Sequence, residues 1–106
     1  MAWTISFHSA ARAEFLALPP DLQARLERIT TLIDAYGLEH LPGKMARHIT
    51  GQLWEFRLKG KDRIARALYV TMTGQRIVVV RVFVKKTQKT PQREIKLALK
   101  RAEEIA

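Results

Sequence analysis

The 106-residue sequence contains no cysteine, which excludes disulfide bonds and thiolate metal sites. Its histidines, His8, His40 and His48, do not fall at metal-ligand spacing beside carboxylates, so no metal and no other cofactor is predicted. No apolar run approaches the roughly 18 residues that span a bilayer, and Met1 to Leu18 lacks the pattern of a signal peptide. A soluble, cytoplasmic protein without a membrane partner is expected.

Several catalytic motifs are also missing. The ten acidic residues form no close pair on one predicted strand, and no glycine-rich loop precedes a helix. The serines, Ser6 and Ser9, fall in the first predicted strand and at the start of the helix after it. The sequence therefore gives no support for acyl transfer or nucleotide hydrolysis.

Basic residues are scarce in the first part of the chain and abundant in the second. Residues 1–43 hold three basic and five acidic residues, a net charge of −2, whereas residues 44–101 hold sixteen basic and three acidic residues, a net charge of +13. A surface this basic suits a polyanionic partner, because Lys and Arg that neutralise phosphates release condensed counterions. The charge distribution points to a nucleic acid.

The first third of the chain predicts a strand and a helical hairpin. Apolar and polar residues alternate from Trp3 to His8, as in a half-buried strand. Ser9 is predicted to cap a helix that runs to Leu18, and Pro20 to begin a second helix that ends at Gly37. The second helix carries an apolar stripe at steps of three and four residues, formed by Leu22, Leu26, Ile29 and Ile33.

Three strands are predicted after a loop at residues 37–43. In Leu53 to Lys59 the apolar residues alternate with polar ones, so Trp54 is expected in the core and Glu55 on a polar face. Short turns lead to strands over residues 64–72 and 77–85, and the last is apolar on both faces apart from Arg81, as in a central strand covered on both sides.

Thr90 and Pro91 are predicted to begin a final amphipathic helix. The expected fold is α+β, in which the N-terminal strand and helical hairpin pack on an antiparallel meander of three to four strands, with a C-terminal helix. Helices are expected on one face of the sheet.

Cationic residues are concentrated on the predicted meander: Arg57, Lys59, Arg63, Arg66, Lys85, Lys86 and Lys89. Because neighbouring strands lie about 5 Å apart, these side chains are expected to meet, and a bound phosphodiester would offset their repulsion. Cleavage of RNA by its own 2′-hydroxyl needs a base, an acid and charge stabilisation at phosphorus. Arg suits the last role, and Lys with a lowered pKa suits either of the others.

Two segments carry a resemblance to a known family: LWEFRLKGKDRIARALYV, residues 53–70, and VVVRVFVKKTQKTPQREI, residues 78–95. They resemble the RelE superfamily of toxins from type II toxin–antitoxin systems, most closely its HigB branch, and FVKKTQKTP at residues 83–91 is the most specific part. The resemblance implies one RelE-like toxin domain over residues 1–106. It also implies an mRNA interferase, a metal-independent, ribosome-dependent endoribonuclease (a hydrolase) that cleaves translated mRNA and so inhibits translation.

The partners implied by the resemblance are the ribosome, mRNA and a cognate helix-turn-helix antitoxin of the HigA type. The resemblance assigns catalytic or phosphate-binding roles to four residues: Arg57, Arg66, Lys85 and Lys86. RNA binding is expected at Lys59, Arg63, Lys89, Glu55 and His48. Glu55 stands where some relatives have a second lysine, and the final helix has no tyrosine to match theirs. The general base is unassigned, with Glu55 and His48 as candidates.

Two other functions remain open. A ParE-like toxin shares the fold but inhibits DNA gyrase without cleaving RNA, and a non-catalytic RNA- or ribosome-binding module would use the same basic surface. The site also depends on strand register, because a slip of one residue would turn Arg66 to the opposite face of the sheet.

Overall fold

Over residues 3–86 and 88–105, which the computed structural model describes, the chain forms a five-stranded sheet between three α-helices. The elements in chain order are β1 (Thr4–Phe7), α1 (Ser9–Leu16), α2 (Pro20–Tyr36), β2 (Ala46–Thr50), β3 (Leu53–Lys59), β4 (Ile64–Met72), β5 (Arg76–Val84) and α3 (Gln92–Glu104). Short 3-10 turns at Leu38–His40 and Gly43–Met45 connect α2 to β2. No helix among these residues is long and apolar enough to cross a membrane.

The sheet has the strand order β1-β5-β4-β3-β2. Strands β2 to β5 form an antiparallel meander of four strands, and β1 joins its edge parallel to β5. The predicted α+β class and meander are confirmed, and the N-terminal strand extends the same sheet.

Helices cover both faces of the sheet, so the prediction that they lie on one face was wrong. The hairpin of α1 and α2 packs on one face, against Phe56, Leu58 and Tyr69 among others, while α3 packs on the opposite face through Ala98. The cause is the composition of β4 and β5, which are apolar on both faces and must be covered twice. The prediction that β5 is covered on both faces is confirmed, but the central strand of the sheet is β4 rather than β5.

Helix α2 begins and ends as predicted, and its apolar stripe is buried. The other helix ends differ from prediction. Helix α1 ends at Leu16 and is capped by His8 rather than Ser9, because Nδ1 of His8 accepts a hydrogen bond from the backbone N–H of Ala10 at 3.1 Å. Helix α3 begins at Gln92 after Pro91, and Thr90 does not cap it.

Trp54 was expected in the core but is 38% exposed. The alternation in β3 correctly places it on the same face as Phe56, yet this end of the strand borders an open cleft lined by Trp3, Leu38 and Tyr69. Alternation predicts the face of a residue but not whether a helix covers it.

Along part of the outer edge of β5, the side chains of Glu14 and Arg101 form the hydrogen bonds that a neighbouring strand would otherwise form. Pairing with β1 extends only as far as Val79. Beyond it the carbonyl oxygen of Val80 accepts a hydrogen bond from Arg101 at 3.0 Å, and the N–H of Val82 donates to Glu14 at 3.0 Å. Arg101 and Glu14 are themselves paired at 2.8 Å, which ties α1 and α3 to this edge.

Candidate active site

A cleft of about 380 Å³ opens between the meander and the segment that follows β5. Its lining residues are Gly43, Lys44, Ala46, Arg47, Glu55, Arg57, Arg66, Lys85 and Gln88. Five of these nine side chains are cationic and one is acidic. The cleft is therefore strongly positive.

Strand register brings these side chains together. Arg47 on β2 pairs with Glu55 on β3, and Arg57 on β3 lies directly opposite Arg66 on β4. The backbone N–H of Lys85 donates to the carbonyl of Ile64 at 2.7 Å, which sets Lys85 at the same end of the sheet. Two arginines at directly opposed positions repel each other, so one of them needs a carboxylate.

Arg66 has that carboxylate in Glu55. The two side chains are 5% and 4% exposed, and Nη1 of Arg66 donates to Oε2 of Glu55 at 2.8 Å. Arg66 also donates to the hydroxyl of Thr90 and to the carbonyl of Gln88, both at 2.7 Å. These contacts satisfy most of a buried guanidinium, although its Nε–H has no partner among the described residues.

The carboxylate of Glu55 is fully engaged. Its Oε1 accepts a hydrogen bond from the hydroxyl of Thr90 at 2.8 Å, and its Oε2 is shared by Arg66 and by Arg47, which lies at 3.0 Å. Two guanidinium groups and a hydroxyl thus occupy both oxygens of this carboxylate. Glu55 therefore organises the cleft and is a weak candidate for the general base.

Lys85 is the half-buried lysine of the cleft, and its Nζ lies 3.5 Å from the amide oxygen of Gln88. Partial burial and the positive charges of Arg66, Arg57 and Arg47 lower the pKa of Lys85 below its ordinary value, and the charge of Glu55 offsets only part of this effect. A lowered pKa makes a lysine a candidate for proton transfer.

Residues 13–103 match the family described as Phage derived protein Gp49-like (DUF891). This match covers most of the chain. The chain belongs to the Gp49-like family. No curated protein matches the sequence.

Two solved structures share the fold of this Gp49-like protein. One is a mutant of the E. coli toxin RelE in the free state, at 16% identity with a TM-score of 0.67, covering 95% of this chain and 98% of that one. The other is an archaeal RelE in the RelE–RelB complex from Pyrococcus horikoshii OT3, at 15% identity with a TM-score of 0.54, covering 79% and 96%. The RelE-like fold implied by the sequence is confirmed, whereas the HigB branch is not distinguished by these matches.

The cleft of the Gp49-like protein contains four of the nine site residues predicted from the sequence: Arg57, Arg66, Lys85 and Glu55. The other five lie elsewhere. Lys86 lines a different cleft, beside Arg81 and Arg93. Lys59 lines a neighbouring groove together with Arg57 and with Arg25 and Arg28 of α2.

The remaining three are Arg63, Lys89 and His48. Arg63 lies in the turn between β3 and β4, and Lys89 is exposed in the segment before α3. Nε2 of His48 donates to the carbonyl of Gly51 at 2.8 Å, and its ring contacts the edge of Trp54. His48 therefore stabilises the turn between β2 and β3 and does not line the cleft.

Arg47 and Lys44 were not predicted as cleft residues, because no strand was predicted at β2. A signal was present in Gly51 and Gln52, since a glycine in a two-residue connection before an alternating segment is typical of a hairpin. The role of Thr90 as a bridge between Arg66 and Glu55 was also not predicted, because Thr90 was interpreted as a helix cap.

Proposed function

We propose that this Gp49-like protein is the toxin of a type II toxin–antitoxin system and that it cleaves RNA at the cleft, without a metal. The observation that carries the proposal is a set of five cations that faces one carboxylate: Arg66 and Arg47 share Glu55, while Lys44, Arg57 and Lys85 pair with no carboxylate among the described residues. A phosphodiester offsets the repulsion within such a set. The RelE-like fold supports the same conclusion by analogy.

The chemistry proposed is attack of the RNA 2′-hydroxyl on the adjacent phosphate. Neutral Lys85 takes the proton of the 2′-hydroxyl, the 2′-oxygen bonds to phosphorus, and the bond from phosphorus to the 5′-oxygen breaks. The leaving 5′-oxygen takes up a proton from solvent. The products carry a 2′,3′-cyclic phosphate and a 5′-hydroxyl.

Arg57 is proposed to stabilise the charge that develops on the phosphate, because its guanidinium lines the cleft and makes no ion pair with a carboxylate among the described residues. Arg66 was expected to contact the phosphate, but its donors are directed at Glu55, Thr90 and Gln88. We assign it the role of a positioning residue.

The substrate proposed is translated mRNA in the ribosome, and the function is inhibition of translation. A cleft without a histidine among its lining residues supports slow cleavage of free RNA, so that the ribosome must position the strand. The partner proposed is a cognate antitoxin of the HigA type, a helix-turn-helix protein. The archaeal RelE neighbour was solved in complex with RelB, which supports an antitoxin partner of some kind.

Primer extension on mRNA after induced expression tests the proposal. Wild-type protein is expected to arrest growth and to leave codon-linked cuts, with 5′-hydroxyl and cyclic phosphate ends. Lys85→Ala and Arg57→Ala are expected to reduce cleavage about a hundredfold, as for loss of a proton-transfer or charge-stabilising group. Lys100→Ala, an exposed lysine on α3 that lines neither cleft nor groove, is the control.

Three results would contradict the proposal. Growth arrest with intact mRNA and a DNA-damage response would indicate a ParE-like inhibitor of gyrase. Binding to ribosomes without cuts or arrest would indicate a non-catalytic RNA-binding module. Full cleavage by folded Lys85→Ala and Arg57→Ala variants would place the chemistry elsewhere on the molecule.

A further inference from the structure

A second basic groove lies next to the cleft. It has a volume of about 450 Å³ and an apolar floor formed by Ile29, Pro42 and Met45. Five cations surround the floor: Arg25 and Arg28 from α2, Lys44 from the turn before β2, and Arg57 and Lys59 from β3. No carboxylate is present among its lining residues.

Elementary helix and strand geometry explains why these cations converge. Arg25 and Arg28 are exposed and three residues apart on α2, so they project from neighbouring turns beside the buried stripe. Arg57 and Lys59 are the exposed alternate positions of β3. Over the residues that the structure describes, none of the five forms an ion pair with Asp or Glu.

The groove and the cleft are continuous, because Gly43, Lys44 and Arg57 line both. An RNA strand whose phosphate lies in the cleft therefore contacts further cations where it continues into the groove. The apolar floor suits the face of a base, and the guanidinium groups of Arg25 and Arg28 suit a phosphate. An acidic peptide would satisfy the charges equally, but an RNA whose phosphate lies in the cleft also reaches the shared wall at Arg57.

We propose that this groove is an RNA subsite that binds the phosphate and base of a nucleotide next to the one held in the cleft. This subsite extends the proposed site of RNA cleavage. Its assignment depends on the proposed function, because the RNA is assumed to enter the groove from the cleft. RNA contacts are assigned to Arg25 and Arg28. These contacts were not expected from the sequence, because residues 1–43, which contain both arginines, carry a net charge of −2.

Binding of a non-cleavable RNA tests the groove separately from the chemistry. The probe is a fluorescent single strand of about eight nucleotides, within the usual range of single-strand sites. Every 2′-hydroxyl is methylated, so the probe has no nucleophile. Anisotropy is measured over a series of salt concentrations with wild-type protein, with Arg25→Gln/Arg28→Gln, and with Arg12→Gln/Lys100→Gln. The last variant removes the same charge from exposed helix positions outside both the groove and the cleft.

We expect Arg25→Gln/Arg28→Gln to weaken binding roughly tenfold at low salt and to reduce the slope of log K against log salt by about 1, which corresponds to the loss of one or two phosphate contacts. The control should retain nearly the wild-type slope, because diffuse charge contributes less than direct contact. Circular dichroism confirms that both variants fold, since Gln is a good helix former at exposed sites.

Equal slopes for the two double variants would overturn the groove assignment, as would the absence of any probe binding at low salt. Tighter binding of a polyglutamate peptide than of RNA through the same arginines would also overturn it and would make the groove a protein-binding site. If Arg25→Gln/Arg28→Gln loses the probe while Lys85→Ala still cleaves mRNA, the groove is supported and the proposed chemistry fails. If Lys85→Ala abolishes cleavage while the groove variant binds normally, the groove alone fails.

Discussion

The guanidinium of Arg66 lies 2.8 Å from the carboxylate of Glu55, and both side chains are at least nineteen-twentieths buried. Burial of two charges is tolerated only when each satisfies the other, and removing one partner leaves an uncompensated charge in the interior. Loss of function in a single variant of either residue would therefore report on folding as much as on chemistry. Arg57, which is exposed, and Lys85, which is half-buried, are better probes of function.

Arg66→Met is expected to lower the free energy of unfolding by about 3 kcal/mol, because Glu55 would remain buried with only Arg47 and Thr90 as partners. The double variant Glu55→Leu/Arg66→Met should recover most of that loss, since both charges are then absent. Urea denaturation measures these free energies. A loss in the double variant equal to the sum of the losses in Glu55→Leu and Arg66→Met would show that the pair is not coupled.

Thr90→Val is expected to destabilise the protein by about 1 to 3 kcal/mol, because it removes a donor to Glu55 and an acceptor for Arg66 in a buried network. Thr90→Ser keeps the hydroxyl and should lose less than half as much. Thr71→Val, at an exposed position of β4, is the matched control. A Thr90→Val loss no larger than that of the control would place Thr90 outside the network.

The pKa of Lys85 is expected to rise in the variant Arg57→Gln, because a positive neighbour disfavours the protonated amine and its removal favours it. In the wild type this pKa lies below the ordinary 10.5. The lysine Cε resonance, assigned with Lys85→Met and followed by NMR against pH, measures both values. The rising limb of the pH dependence of cleavage should move to higher pH in the same variant. An unchanged midpoint in Arg57→Gln would mean that Arg57 does not act on Lys85.

Glu14→Gln is expected to cost about 2 kcal/mol of stability at neutral pH, because Glu14 accepts charged hydrogen bonds at the edge of β5. Burial alone would raise the pKa of Glu14, but the hydrogen bonds from Arg101 and the Val82 N–H, together with the charge of Arg81, lower it below the ordinary 4.5.

Because the folded pKa of Glu14 is lowered, its contribution is fully present above about pH 4.5 and is lost as the pH falls through the folded value. The difference in unfolding free energy between wild type and Glu14→Gln should shrink over that acidic range. Glu103→Gln, at an exposed position on α3, is the control. A difference in unfolding free energy between wild type and Glu14→Gln that persists at low pH would argue against the ion pairs of Glu14 with Arg81 and Arg101.

Sequence periodicity predicted the elements whose pattern is strong. Strands β3 and β4 fall within their predicted bounds, and α2 has the predicted stripe, because each buries a continuous apolar face. Strand β2 is short and lies at the edge of the sheet, so only two of its five residues are even partly buried and its pattern is weak.

The site was predicted less completely than the fold. The alternation in β3 placed Glu55 on a polar face and implied exposure, yet that residue is buried because Arg66 and Thr90 arrive from distant parts of the chain. A pattern along one strand carries no information about such partners. Trp54 shows the opposite case. The alternation predicted correctly which face of the sheet it lies on, but the side chain is exposed because no helix covers that face at this position.

Arg66 depends on Gln88 and Thr90, which are made late during synthesis of the chain. A nascent protein that has already formed β3 and β4 has Glu55 as an acceptor but still lacks the other two acceptors of this buried guanidinium, so the position of Arg66 is not yet fixed. The proposed cleavage activity should therefore appear only near the end of translation of the protein's own message. A product truncated before these residues would carry Arg57 without the arrangement that directs it.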